Sequence, residues 1–126
     1  MDFKLPPLGD HRIIEFWDCD PVALDDLDRI KSMFDTALKI SHATVINVVM
    51  HKFSPQGVTG VAAIAESHVS IHTWPELGYA AIDVFTCGTK MNTDILLSHF
   101  ETVLKPGEKS EIRIARGQRL RVAKSI

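Results

Sequence analysis

At 126 residues the chain has the length of one domain with one modest hydrophobic core. Its 45% apolar and 24% charged residues exclude a disordered polymer, and no apolar run approaches the roughly 20 residues of a membrane span. The opening Met1-Asp2-Phe3-Lys4-Leu5-Pro6-Pro7 lacks the long apolar stretch of a secretion signal, so a cytoplasmic protein without a membrane partner is expected. The net charge of −2 conceals a split: residues 1–66 carry 6 basic and 10 acidic groups, residues 105–126 carry 7 and 2. No aromatic residue is interleaved in that basic tail to stack on bases, so a solvated strand edge is expected there rather than a nucleic-acid site. Two cysteines, Cys19 and Cys87, are too few for a disulfide framework and read as thiols.

In chain order, His11 to Trp17 suits a first strand. Asp20 then offers a cap and Pro21 a first helical turn. From Leu24 to Ile40 apolar residues recur at spacings of three and four (Leu24, Leu27, Ile30, Phe34, Ala37, Leu38), with Asp25, Asp26 and Asp28 near the positive N-terminal end, which predicts one amphipathic helix. Residues 43–53 and 57–65 are rich in Val, Ile and Ala and flank Ser54-Pro55-Gln56-Gly57, the chemistry of a hairpin turn. Further strands are expected at 67–73 and 79–86, around Trp74-Pro75-Glu76-Leu77-Gly78. Asn92 can cap a second helix that runs through Leu104 and stops at Pro106-Gly107. Ile112 and Ile114, alternating with Arg113, form a last strand. The order predicts an α+β fold over residues 1–126: a two-layer sandwich of two helices on a mostly antiparallel sheet.

Chemistry crowds into Glu66-Ser67-His68-Val69-Ser70-Ile71-His72-Thr73-Trp74-Pro75-Glu76. Unpaired polar groups on a half-buried sheet cost roughly 1–3 kcal/mol each, so the cluster needs a reason. A zinc site of His68, His72 and Cys87 fails on spacing. On a strand rising about 3.3 Å per residue the two imidazoles stand about 13 Å apart, and no metal is expected. Ser67 or Cys87 as a nucleophile with a histidine base is the common alternative, but single Ser-His pairs are weak signals.

The joint pattern is more specific. His51-Lys52-Phe53-Ser54-Pro55-Gln56-Gly57-Val58-Thr59-Gly60, then Ala65 through Glu76, then Phe85-Thr86-Cys87-Gly88, resembles the prokaryotic S-adenosylmethionine decarboxylase proenzymes. That resemblance implies self-cleavage between Glu66 and Ser67, giving a β chain of residues 1–66 and an α chain of residues 67–126. The Ser67 hydroxyl would attack the Glu66 carbonyl carbon, an N-to-O acyl shift would give an ester, and His72 would remove the α-proton of residue 67. Elimination and loss of ammonia then leave a pyruvoyl group, the cofactor, at position 67. Thr59 would support the acyl shift. The pyruvoyl carbonyl is an electron sink that holds the substrate amine as a Schiff base, and Cys87 would return a proton to the decarboxylated carbon. Phe53 would stack on adenine, Glu76 would hold the ribose hydroxyls and Trp74 would line the pocket. The product is the aminopropyl donor for spermidine synthesis.

Ser67 and His72 are five apart, so on one straight strand they face opposite ways about 17 Å apart. Either the strand bends or two subunits share the site, and the resemblance implies at least a dimer. Two alternatives stand beside this expectation. One is a pyruvoyl-dependent arginine or ornithine decarboxylase, because Asp18 in Glu15-Phe16-Trp17-Asp18-Cys19 departs from the glycine frequent there and a carboxylate can bind a guanidinium. The other is a non-catalytic paralogue that binds a ligand or a partner subunit, although it would not need Ser67, His72 and Cys87 together.

Overall fold

The computed structural model describes residues 6–119; the first five residues and the end of the basic tail, 120–126, lie outside the described residues. The described residues form six strands and three helices: β1 (Gly9–Trp17), α1 (Pro21–Leu24), α2 (Leu27–Ile40), β2 (Val45–Lys52), β3 (Val58–Ile64), β4 (Ser67–Trp74), a 3-10 turn (Pro75–Leu77), β5 (Tyr79–Thr86), α3 (Thr93–Leu104) and β6 (Glu108–Arg116). The strands form one sheet in the order β2-β3-β4-β5-β1-β6, with every neighbouring pair antiparallel. The α+β sandwich expected from the sequence is present.

The expected single helix from Leu24 is instead two. Asp26 takes an extended backbone, and its side chain accepts the Arg29 N–H, so it caps a new helix rather than continuing the old one. Asp20 caps the short α1 in the same way, and Asn92 caps α3 as predicted. Asp25, left between the helices, accepts the Gly57 N–H at 2.9 Å and pairs with Lys52, which ties the break to the β2–β3 hairpin.

Alternation along each strand sends one set of side chains under the helices. Ile14 and Phe16 of β1, Ala62 and Ile64 of β3, Val69 and Ile71 of β4, and Ile82 and Val84 of β5 meet Ile30, Met33, Phe34 and Leu38 of α2 and Leu96, Phe100 and Leu104 of α3. Phe34 and Phe100 stack at 5.2 Å where the helices touch. Each fully buried Val, Leu, Ile, Phe or Met among them contributes about 1.5–3 kcal/mol. Gly60 leaves room for the Met50 side chain, because a Cβ there would lie 2.6 Å from Met50 Sδ and make that thioether shift.

The other face of the sheet is different. It presents Val49, Val61, Trp74, Ile112 and Ile114, all exposed, together with His68, Ser70 and His72 and, from β1, His11, Ile13 and Glu15. No helix among the described residues covers it.

Candidate active site

The turn between β3 and β4 consists of Ala65 and Glu66 alone, since Ile64 pairs with Ser67 across it. On the other side Ser67 pairs with Thr86, the last residue of β5. That register brings Cys87 beside the turn, where its backbone N–H donates to the Glu66 carbonyl oxygen at 2.8 Å. Ser67 itself has φ +149°, a conformation rarely adopted by residues with a side chain. A hydrogen-bonded carbonyl, a serine hydroxyl on the next residue and an exposed, free Cys87 thiol are thus gathered at one end of the sheet. Cys19 is the opposite case. It is buried in the core, and its thiol is pushed up to about 11 by loss of solvation and then by the Asp18 charge, which marks a structural residue.

Thr59 and His72 are direct partners on β3 and β4, and Thr59 Oγ1 lies 3.0 Å from His72 Nδ1. They stand on the open face. β4 keeps its register with β5 from Ser67 to Trp74 and with β3 from Ser67 to His72, so it does not bend back on itself. By alternation Ser67 falls in the row of the buried Ile64, whereas His72 points away from the helices. The structure therefore divides the predicted residues into two groups, Glu66/Ser67/Cys87 and Thr59/His72, about 17 Å apart along one strand. His68 packs against Phe85 and His11, not His72, and no group of three His, Cys, Asp or Glu side chains suited to a metal occurs among the described residues.

Phe53, Trp74 and Glu76 lie at the same end as His72. Phe53 ends the hairpin, half-exposed, with its ring edge-on to His51 at 4.5 Å. Glu76, in the 3-10 turn, accepts a hydrogen bond from the Gln56 amide. Sequence reasoning missed the rest of this region: Tyr79 stacks between Trp17 (4.3 Å) and Trp74 (5.3 Å), forming an aromatic ladder. The signal was available, because Tyr79 directly faces Trp74 across the β4–β5 turn. Burial, and then a hydrogen bond to Glu15, push the Tyr79 hydroxyl up to about 12.

Asp18, the departure noted in the sequence, is exposed with φ +56°. A left-handed residue explains why glycine suits the position, and aspartate is among the side chains that tolerate it. The carboxylate thus has a conformational reason to be there that involves no ligand.

The S-adenosylmethionine decarboxylase family matches residues 10–117. An S-adenosylmethionine decarboxylase proenzyme of Methanococcus maripaludis is 54% identical over 110 residues, 87% of this chain and 90% of that protein. One from Parasynechococcus marenigrum is 58% identical over 81 residues, 64% of this chain and 63% of that protein. The crystal structure of the adenosylmethionine decarboxylase from Aquifex aeolicus superposes with a TM-score of 0.85 at 32% identity, covering 94% of this chain and 98% of that one. With a family match over residues 10–117 and relatives more than half identical over most of its length, this chain belongs to the S-adenosylmethionine decarboxylase family.

Proposed function

We propose that this chain is a proenzyme that cuts itself between Glu66 and Ser67 and then decarboxylates S-adenosylmethionine with a pyruvoyl group made from Ser67. The observation that carries this reading is the Cys87 N–H on the Glu66 carbonyl oxygen. When the Ser67 hydroxyl adds to that carbonyl carbon, negative charge develops on the oxygen, and a fixed amide donor stabilises it without reorganising. Collapse breaks the C–N bond and leaves an ester.

The next step needs a base at the α-proton of residue 67, and His72 has the chemistry for it. For Nε2 to accept a proton, Nδ1 must carry one, and Thr59 Oγ1 at 3.0 Å can accept that N–H. Thr59 keeps its own hydroxyl proton to donate, which allows it to serve the acyl shift as well. His72 of the same chain is too distant. A second copy, its open face against the first and its Thr59 and His72 at the sheet end that carries the first copy's Ser67 and Cys87, would complete the site across the rim of the sheet and would bury the exposed Val49, Val61 and Ile112. Two half-sites on one chain support a homodimer with shared sites.

In the finished enzyme the pyruvoyl group serves as the electron sink for decarboxylation. The exposed Cys87 thiol, next to the Thr86 partner of residue 67, supports a role as proton donor to the substrate carbon. Phe53 and Trp74 offer flat faces to a purine and a sulfonium, and the Glu76 carboxylate offers an acceptor to a ribose diol. Asp18 gives no reason to prefer a guanidinium substrate.

Two measurements test the reading. Intact mass should show two fragments meeting at Glu66/Ser67. Carbon dioxide release should follow addition of S-adenosylmethionine but not arginine or ornithine; an uncut chain, or release from arginine at an equal rate, would sink it.

A further inference from the structure

The Ala65-Glu66 turn is gripped from a side that the chemistry above does not use. Thr44, just ahead of β2, accepts the Ala65 N–H at 2.8 Å on its carbonyl and donates its own N–H to Glu66 Oε1 at 3.0 Å. Glu66 is only 7% exposed although it occupies a two-residue turn, a place where acids ordinarily point into water. The Thr44 N–H is the main reason its carboxyl is held below the usual range despite burial, with smaller help from its own backbone N–H, the Thr44 hydroxyl and the Lys90 charge. Lys90 in turn donates to Thr44 Oγ1 at 2.7 Å.

Residue 66 is therefore pinned twice, at its carbonyl by Cys87 and at its side chain by Thr44. The next residue carries the left-handed φ of +149°. Such a conformation persists only where its surroundings over-determine it, and this double grip is what over-determines it here.

We propose that the Glu66 carboxylate is a positioning group for self-cleavage, which acts through the Thr44 N–H to fix the plane of the Glu66–Ser67 peptide and to hold Ser67 in its strained backbone. The acyl shift forms the bond from Ser67 Oγ to the Glu66 carbonyl carbon and breaks the bond from that carbon to the Ser67 nitrogen. The hydroxyl proton ends on the freed amine. Once that amine leaves the peptide, the restriction on φ disappears, so the strain held by Thr44 favours the shift. The proposal rests on the self-cleavage reading and adds a residue pair that touches none of the reacting atoms.

The test is a time course of cleavage of freshly translated precursor, with wild type, Glu66→Ala, Glu66→Asp and Glu66→Gln side by side. Loss of a hydrogen bond to a charged acceptor should slow Glu66→Ala by about tenfold or more. Glu66→Asp, which keeps the charge but retracts the acceptor by one methylene, should be similarly slow. Glu66→Gln keeps an acceptor at the right reach and should stay within about threefold of wild type. In a His72→Ala background, where the ester should accumulate, the fraction cleaved by hydroxylamine should fall with Glu66→Ala and recover with Glu66→Gln. Thermal unfolding of each variant monitors the fold, and if Glu66→Ala does not fold the Asp-against-Gln comparison decides. Wild-type rates in Glu66→Asp, or a Glu66→Gln protein as slow as Glu66→Ala, overturn the proposal. A wild-type chain that never cuts overturns instead the reading on which it rests.

Discussion

The backbone N–H of Cys87 and the carbonyl oxygen of Glu66, 21 residues apart in sequence, are 2.8 Å apart in the structure. One residue thus presents two different groups to the same place: its main chain to the bond proposed to be cut, and its thiol to the space beside Ser67. These groups can be separated by mutation.

Replacing Cys87 by Ala removes the thiol and keeps the amide. Self-cleavage should therefore proceed at close to the wild-type rate, while decarboxylation should fall by about 100-fold or more, the usual weight of a general acid. Mass spectrometry for the first and carbon dioxide release for the second would check this. Blocked cleavage in Cys87→Ala would show that the amide alone is insufficient.

Sharing of sites between two copies has a sharper test. Neither Ser67→Ala nor His72→Ala protein should cleave alone. Mixed by co-expression, they contain one site with Ser67 from one copy and His72 from the other. The His72→Ala chain should then be cut, and the Ser67→Ala chain should stay whole. Absence of any cut chain in a verified mixed dimer would confine the site to one protomer.

The hydrogen bond between Thr59 and His72 predicts a graded series. Thr59→Ser keeps the hydroxyl and should process nearly normally. Thr59→Val preserves shape and β-branching but deprives the imidazole of its partner, and should slow processing by about 10- to 1,000-fold. Gel time courses suffice to read it.

Cys19 makes a prediction about stability. Its folded-state thiol is raised from 9.0 to about 11, so the folded protein holds that proton more tightly than the unfolded chain. The contribution is fully present below pH 9 and is lost as pH rises toward 11. Its size is at most about 3 kcal/mol, from two units at 1.36 kcal/mol each. Denaturant midpoints measured from pH 8 to 11 should fall, and Cys19→Ala should flatten that fall. Tyr79, raised to about 12, acts in the same direction at higher pH.

Much of this was legible beforehand. The alternation in Val58–Ile64, Ser67–Trp74 and Tyr79–Thr86 is a local property of the chain, and it predicted both the strands and the opposite facing of Ser67 and His72. The break at Asp26 was not legible, because the same cluster of aspartates suits the first turn of one helix or the cap of a second. What decided it were the partners of Asp25, Lys52 and Gly57, which lie about 30 residues away. The Cys87 and Thr44 contacts to the turn were hidden for a related reason. They are made by backbone groups, which every residue carries, so no residue type announces them.

Strand order has one more consequence. β1, from the segment ahead of Glu66, lies between β5 and β6, both from the segment after it, while β3 pairs with β4 across the proposed cut. The two pieces would be interleaved as well as adjacent, so cutting the chain need not release either piece. It would, however, change the molecularity of folding. The precursor folds as a single chain at a rate independent of concentration; the mature protein, once unfolded, could recover its sheet only by a second-order encounter of two fragments. Self-cleavage would then leave the native state persisting through its barrier to unfolding, and dilute refolding of matured protein should fail where the uncut Ser67→Ala chain succeeds.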